Sequence, residues 1–90
     1  MSAIRREIAI TNRRGLHARA SAKFVTLASG LPAEVMVEKD GNSVVATSIM
    51  GLMMLGAAMG DSIVITSTGE GAEDAVAQLA QLVEDRFGED

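Results

Sequence analysis

Ala33-Glu34-Val35-Met36-Val37-Glu38-Lys39-Asp40-Gly41-Asn42-Ser43-Val44-Val45-Ala46 carries the strand pattern on which the fold turns. Ala33, Val35 and Val37 alternate with Glu34, Met36 and Glu38, the period of a strand with one buried face. Asp40-Gly41 supplies the positive dihedrals of a tight hairpin turn, after which Val44 and Ala46 continue the inward set. Two antiparallel strands are therefore expected at the centre of the chain.

Upstream, Gly30 stands where a left-handed helix C-cap is expected and Pro32 follows it, so a helix ends there. Ala18, Ala22, Val25 and Ala28 recur at helical spacing and place that helix at about 18–29. Before it, Ile4, Ile8 and Ile10 alternate with polar neighbours, predicting a first strand at about 4–11. Downstream, Ser48 is a good N-cap for a two-turn helix over Ile49–Leu55 that stops at Gly56. Ser62–Thr66 reads as a fourth strand, and Ala72, Ala75, Val76, Leu79, Leu82 and Val83 as a third helix.

The order is β-α-β-β-α-β-α, with no linker or repeat. It predicts a two-layer α+β open-faced sandwich, a four-stranded antiparallel sheet covered on one face by three helices. Strand pairing is not visible in sequence, and the first six elements share the order of the ferredoxin-like arrangement. Residues 1–90 are read as one domain, since so short a chain has material for one core.

The composition narrows the function. No cysteine is present, which excludes disulfides and thiolate metal sites, and one histidine leaves no metal-ligand set, so neither metal nor cofactor is expected. The first residues lack an apolar h-region and no stretch nears the roughly 20 apolar residues of a membrane span, so a cytoplasmic protein without membrane attachment is expected. A net charge of −4 and the lack of strand aromatics count against a nucleic-acid module. The charge is uneven: Arg5, Arg6, Arg13, Arg14, Arg19 and Lys23 lie in the first third, whereas Glu84, Asp85, Glu89 and Asp90 surround Arg86 at the other end.

The chemistry-bearing segment is Asn12-Arg13-Arg14-Gly15-Leu16-His17-Ala18-Arg19-Ala20-Ser21. His17 falls at a loop-to-helix junction, where unpaired first-turn N–H groups and the positive end of the helix dipole attract an anion. Imidazole titrates near neutrality in the free side chain, so a ring lone pair is available to attack phosphorus, and Arg19 could add charge-assisted hydrogen bonds. Read from the residues alone, an ordinary polar loop histidine stands beside this anion-holding one.

Gly15-Leu16-His17-Ala18-Arg19 resembles the active-site motif of HPr, the histidine-containing phosphocarrier family of the bacterial phosphoenolpyruvate-dependent phosphotransferase system, which includes nitrogen-type NPr. Ser48-Ile49-Met50-Gly51-Leu52-Met53, 31 residues beyond the histidine, resembles that family's regulatory serine segment, and the element order is also the family's. The resemblance implies a stoichiometric carrier, not an enzyme. His17 would accept a phosphoryl group on Nδ1 (pros-phosphohistidine) from phosphorylated enzyme I and donate it to an enzyme IIA-type protein. Arg19 would stabilise that group. Ser48 would be the phosphorylation site in bacteria that possess HPr kinase/phosphorylase. The pathway would be sugar transport or a regulatory nitrogen-type relay, and a monomer is expected.

Ile49, Met50, Leu52, Met53, Met54 and Leu55 leave the short helix apolar nearly all round, so part of it must be exposed. Leu52 and Leu55 suit the core, and Ile49, Met50 and Met53, with Leu16 and Ala18 beside His17, are the expected partner contacts. One departure from the family is Ala20, where proline is usual. The alternative function on the same fold is a purely regulatory binding module that turns over no phosphate.

Overall fold

A computed structural model describes residues 3–89, so Asp90 of the acidic terminus lies outside the described residues. The central hairpin forms as expected, from β2 (Val35–Lys39) and β3 (Asn42–Val45). Its turn places Asp40 at φ 51° and Gly41 at φ 84°, the paired positive dihedrals that match the twist of the flanking strands. β1 (Ile4–Ala9) and β4 (Ser62–Ser67) complete an antiparallel sheet of order β1-β4-β2-β3. Pairing thus settles what the element order leaves open, because β1 lies at an edge and β4 inside. In the ferredoxin-like arrangement those two exchange places.

The register follows from the apolar alternation: Ile8 faces Ile63 and Val37 faces Ile65, and all four side chains are buried. α1 (Ala18–Ser29), α2 (Ile49–Met54) and α3 (Ala72–Glu84) cover this face, and Phe24 and Leu79 complete its core. Arg6, at an edge position opposite Ile65, reaches out to Glu84 of α3 at 3.1 Å. A charge placed there discourages strand addition at the edge. None of the helices of the described residues is long and apolar enough to cross a membrane.

Two expectations need correction. β1 ends at Ala9, although Ile10 still donates to the Asp61 carbonyl oxygen at 2.8 Å and accepts from Gly60 at 2.9 Å. Gly30 is not left-handed: at φ −87° it stays right-handed, and α1 closes by tightening, with Gly30 N–H on Leu27 O and Leu31 N–H on Ala28 O. The chain also forms one element past α3. A 3-10 turn over Arg86–Gly88 turns Phe87 into the core, where it is 1% exposed.

Candidate functional site

The loop between β1 and α1 is built on Asn12, which is fully buried. Its backbone carbonyl accepts from Gly15 N–H at 3.2 Å, and its side-chain Nδ2 donates to Gly15 O at 2.9 Å, closing the turn from both sides. Gly15 adopts φ +62°, and a Cβ there would overlap the Ala57 carbonyl oxygen and lie 2.9 Å from Ala58 Cα. Only glycine lets this loop lie against the segment that leaves α2. Leu16, 5% exposed, packs into the core, so its expected role as a side-chain contact for a partner is corrected; Ala18 is exposed as expected.

His17 is the N-cap of α1, with extended backbone at φ −74°, ψ −179°. Its Nδ1 accepts from the Arg19 backbone N–H at 3.3 Å, so that nitrogen carries a lone pair turned toward the helix start. The intrahelical ladder begins with Ser21 N–H on His17 O at 2.9 Å, which leaves the Ala18 and Ala20 donors outside it. Proline at position 20 would therefore break no helical bond, and Ala20 costs the helix start rigidity rather than a hydrogen bond. Ser21 Oγ donates to Leu16 O and holds the junction from inside.

The other ring nitrogen meets a residue that sequence reasoning missed. His17 Nε2–H donates to Glu89 Oε1 at 2.9 Å, and the same oxygen accepts from Asn12 Nδ2 at 2.9 Å. Asn12 thereby serves both acceptors, at the cost of leaving its buried Oδ1 without a donor among the described residues. The hydrogen bonds from His17 and Asn12 hold the Glu89 carboxyl below its ordinary pKa. Glu89 reaches this position through a strained turn in which Arg86 and Phe87 both sit at φ 56°. Each such non-glycine residue costs about 1–2 kcal/mol. Burial of the Phe87 ring offsets about 1.5–3 kcal/mol of that, and Lys23 Nζ donates to Phe87 O at 2.6 Å. The one available signal was the charge asymmetry, since the acidic end folds against the basic loop.

Arg13, Arg14 and Arg19 join Glu89 in lining a cleft of about 240 Å³. Three guanidinium side chains beside a helix start make a strongly anion-attracting surface. A larger groove of about 810 Å³ between α1 and α3 has an aliphatic floor of Leu27, Leu31 and Leu82 and is edged by Arg19, Lys23, Thr26 and Gln78. Among the described residues no group of three acidic or histidine side chains could hold a metal ion.

α2 supplies the neighbouring surface. Ser48 caps it, accepting from Gly51 N–H at 2.9 Å. Leu52 and Leu55 are buried as expected, while Ile49, Met50 and Met53 are exposed. Met54 of the same helix is 80% exposed, and Met59, in the segment that follows α2, is 58% exposed. Leu16 N–H donates to Ala57 O at 2.9 Å, so the His17 loop and the segment following α2 are directly joined.

Comparison with known proteins shows the family to which the chain belongs. A family model described as the PTS HPr component phosphorylation site matches residues 4–85. The phosphocarrier protein HPr of Cupriavidus necator is 41% identical over 86 residues, which is 96% of this chain and 97% of that protein. The phosphocarrier protein NPr of Shewanella violacea is 36% identical over 89 residues, 99% of this chain and 98% of that protein. The crystal structure of HPr-C-His from Thermoanaerobacter tengcongensis superposes with a TM-score of 0.90 at 41% identity, covering 100% of this chain and 99% of that one.

Proposed function

Because the chain belongs to the HPr family of phosphotransferase-system phosphocarriers, we propose that His17 Nδ1 is the atom that carries the phosphoryl group. The observation that supports this most is the orientation of the ring. Nδ1 presents a lone pair to the start of α1 while Nε2 holds the proton against Glu89.

In the forward step the Nδ1 lone pair forms a bond to phosphorus as the bond from phosphorus to the donor atom of phosphorylated enzyme I breaks, and that departing atom keeps the electron pair. First-turn N–H groups and Arg19 then face the transferred oxygens. Onward transfer to an enzyme IIA-type protein reverses the sequence. A carrier must not hold the group too tightly, because stabilisation confined to the ground state slows its departure. Arg19 is exposed, so its contact is screened and suitably weak.

Partner proteins dock over Ala18, Ile49, Met50 and Met53, with Met54 enlarging the patch. Flexible thioethers let one surface fit a donor and an acceptor in turn. The carrier acts as a monomer in the cytoplasm. In a cell with an HPr kinase/phosphorylase, phosphate on Ser48 would place about −2 charge within this surface and slow transfer from enzyme I. Whether the relay ends in sugar uptake or in a nitrogen-type regulatory protein depends on which IIA accepts the group.

The test is a chase. Protein loaded from phosphoenolpyruvate and enzyme I should pass its phosphoryl group to an added IIA protein, and His17→Ala should neither load nor pass it. Loading without any discharge to sugar-type or nitrogen-type IIA proteins would argue for the purely regulatory module.

A further inference from the structure

We propose that Glu89 is a positioning residue for phosphoryl transfer: its carboxylate holds the Nε2 proton of His17 and stabilises the positive ring formed when Nδ1 bonds phosphorus. This rests on the reading of His17 as the phosphoryl acceptor and adds the means by which its ring is kept reactive.

The placement is specific. Glu89 Oε1 lies 2.9 Å and Oε2 3.2 Å from Nε2. Fully buried Asn12 fixes Oε1 from the far side, and Phe87 in the core with Lys23 on its carbonyl oxygen holds the turn that delivers the side chain. The charged groups around the carboxylate on the ring are Arg13 and Arg14 from the loop and Arg19 and Lys23 from α1. Among the described residues of this cluster, Glu89 is the one anion. In a cleft of three arginines, its hydrogen bonds nevertheless go to His17 and to Asn12.

The chemistry follows from charge balance. A neutral ring protonated at Nε2 that forms a bond from Nδ1 to phosphorus becomes cationic, and no proton need leave. If Nε2–H were then lost, the ring would be neutral and Nδ1 a poor leaving group, because its electrons would have to depart on an anionic imidazolate. A carboxylate on Nε2–H favours the protonated ring, so Nδ1 can leave with its electron pair as neutral imidazole. The same bond sets the tautomer before loading, the role an acid group plays toward a histidine in hydrolase triads. Glutamine can accept the same hydrogen bond without the charge; alanine can do neither.

The experiment compares wild type, Glu89→Gln and Glu89→Ala, each labelled with nitrogen-15 and phosphorylated either by enzyme I with phosphoenolpyruvate or chemically by phosphoramidate. The titration of the phosphorylated ring is followed by its phosphorus-31 and nitrogen-15 resonances. Both variants should still load, with midpoints lower than wild type by about 0.5–1 pH unit, a three- to tenfold loss in proton affinity at a partly exposed site. Glu89→Gln should keep the Nε2–H tautomer of the unloaded ring. A purely structural contribution of Glu89 would change stability and leave that midpoint unmoved. Loaded proteins whose midpoints agree within about 0.2 unit overturn the role of Glu89 while leaving His17 as acceptor. No His17 adduct from either donor overturns the acceptor reading and this one with it.

Discussion

Leu16 N–H donates to the carbonyl oxygen of Ala57 at 2.9 Å, so the backbone just before the histidine is bonded to the backbone just after the methionine helix. The contact is possible because Gly15, one residue earlier, has no side chain and lies at φ +62°.

Gly15→Ala should therefore be costly. The left-handed backbone penalty and the overlap with Ala57 add, and a loss of about 2–4 kcal/mol is expected in urea unfolding. A change under about 0.5 kcal/mol would mean that the two loops do not approach so closely.

Ser48 separates two effects. Ser48→Ala removes the cap on Gly51 N–H and should cost about 0.5–2 kcal/mol of stability. Ser48→Asp keeps a capping oxygen, so the fold should hold, while transfer from enzyme I falls through the added negative charge in the docking surface. Equal phosphorylation rates at His17 in wild type and Ser48→Asp would count against a regulatory role for this position.

The exposed methionines should matter for docking and not for folding. Met50→Glu and Met54→Glu are expected to stay within about 0.5 kcal/mol of wild-type stability and to slow loading by enzyme I about tenfold or more. Leu52→Ala, on the buried face of the same helix, should instead destabilise by about 2–5 kcal/mol. If the charged variants load as fast as wild type, the patch is not the enzyme I surface.

Acid should weaken the C-terminal clasp. The Glu89 carboxyl titrates lower in the folded chain than in the unfolded one, through its hydrogen bonds with His17 and Asn12. Its stabilising contribution is thus complete above the unfolded value, near 4.5, and is lost as pH falls through the lower folded value. Thermal unfolding of wild type and Glu89→Gln across this range should show a stability gap near neutral pH that closes in acid; a gap that widens in acid would reverse the sign.

Most of the fold was legible because its elements carry redundant local signals. The Val35–Ala46 alternation around Asp40-Gly41, the Ser48 cap and the α3 periodicity each point the same way as the packing. What was not legible depends on contacts distant in sequence. Nothing local says that β4 enters the sheet between β1 and β2. Nothing near Glu89 says that it returns across 72 positions to a histidine; left-handed Arg86 and Phe87 are tolerated there because Phe87 finds a place in the core. Leu16 misled because it adjoins His17 and exposed Ala18 in sequence, whereas the turn at Gly15 sends its side chain inward.

The most direct measurement is the position of the phosphoryl group after incubation with phosphoenolpyruvate and enzyme I. One acid-labile phosphoryl group is expected, shown by nitrogen-15 to phosphorus-31 coupling to be bonded to Nδ1 of His17, and absent from a folded His17→Ala protein. A folded wild-type protein that takes up no phosphoryl group from a competent enzyme I, or takes it on another residue, would contradict that expectation.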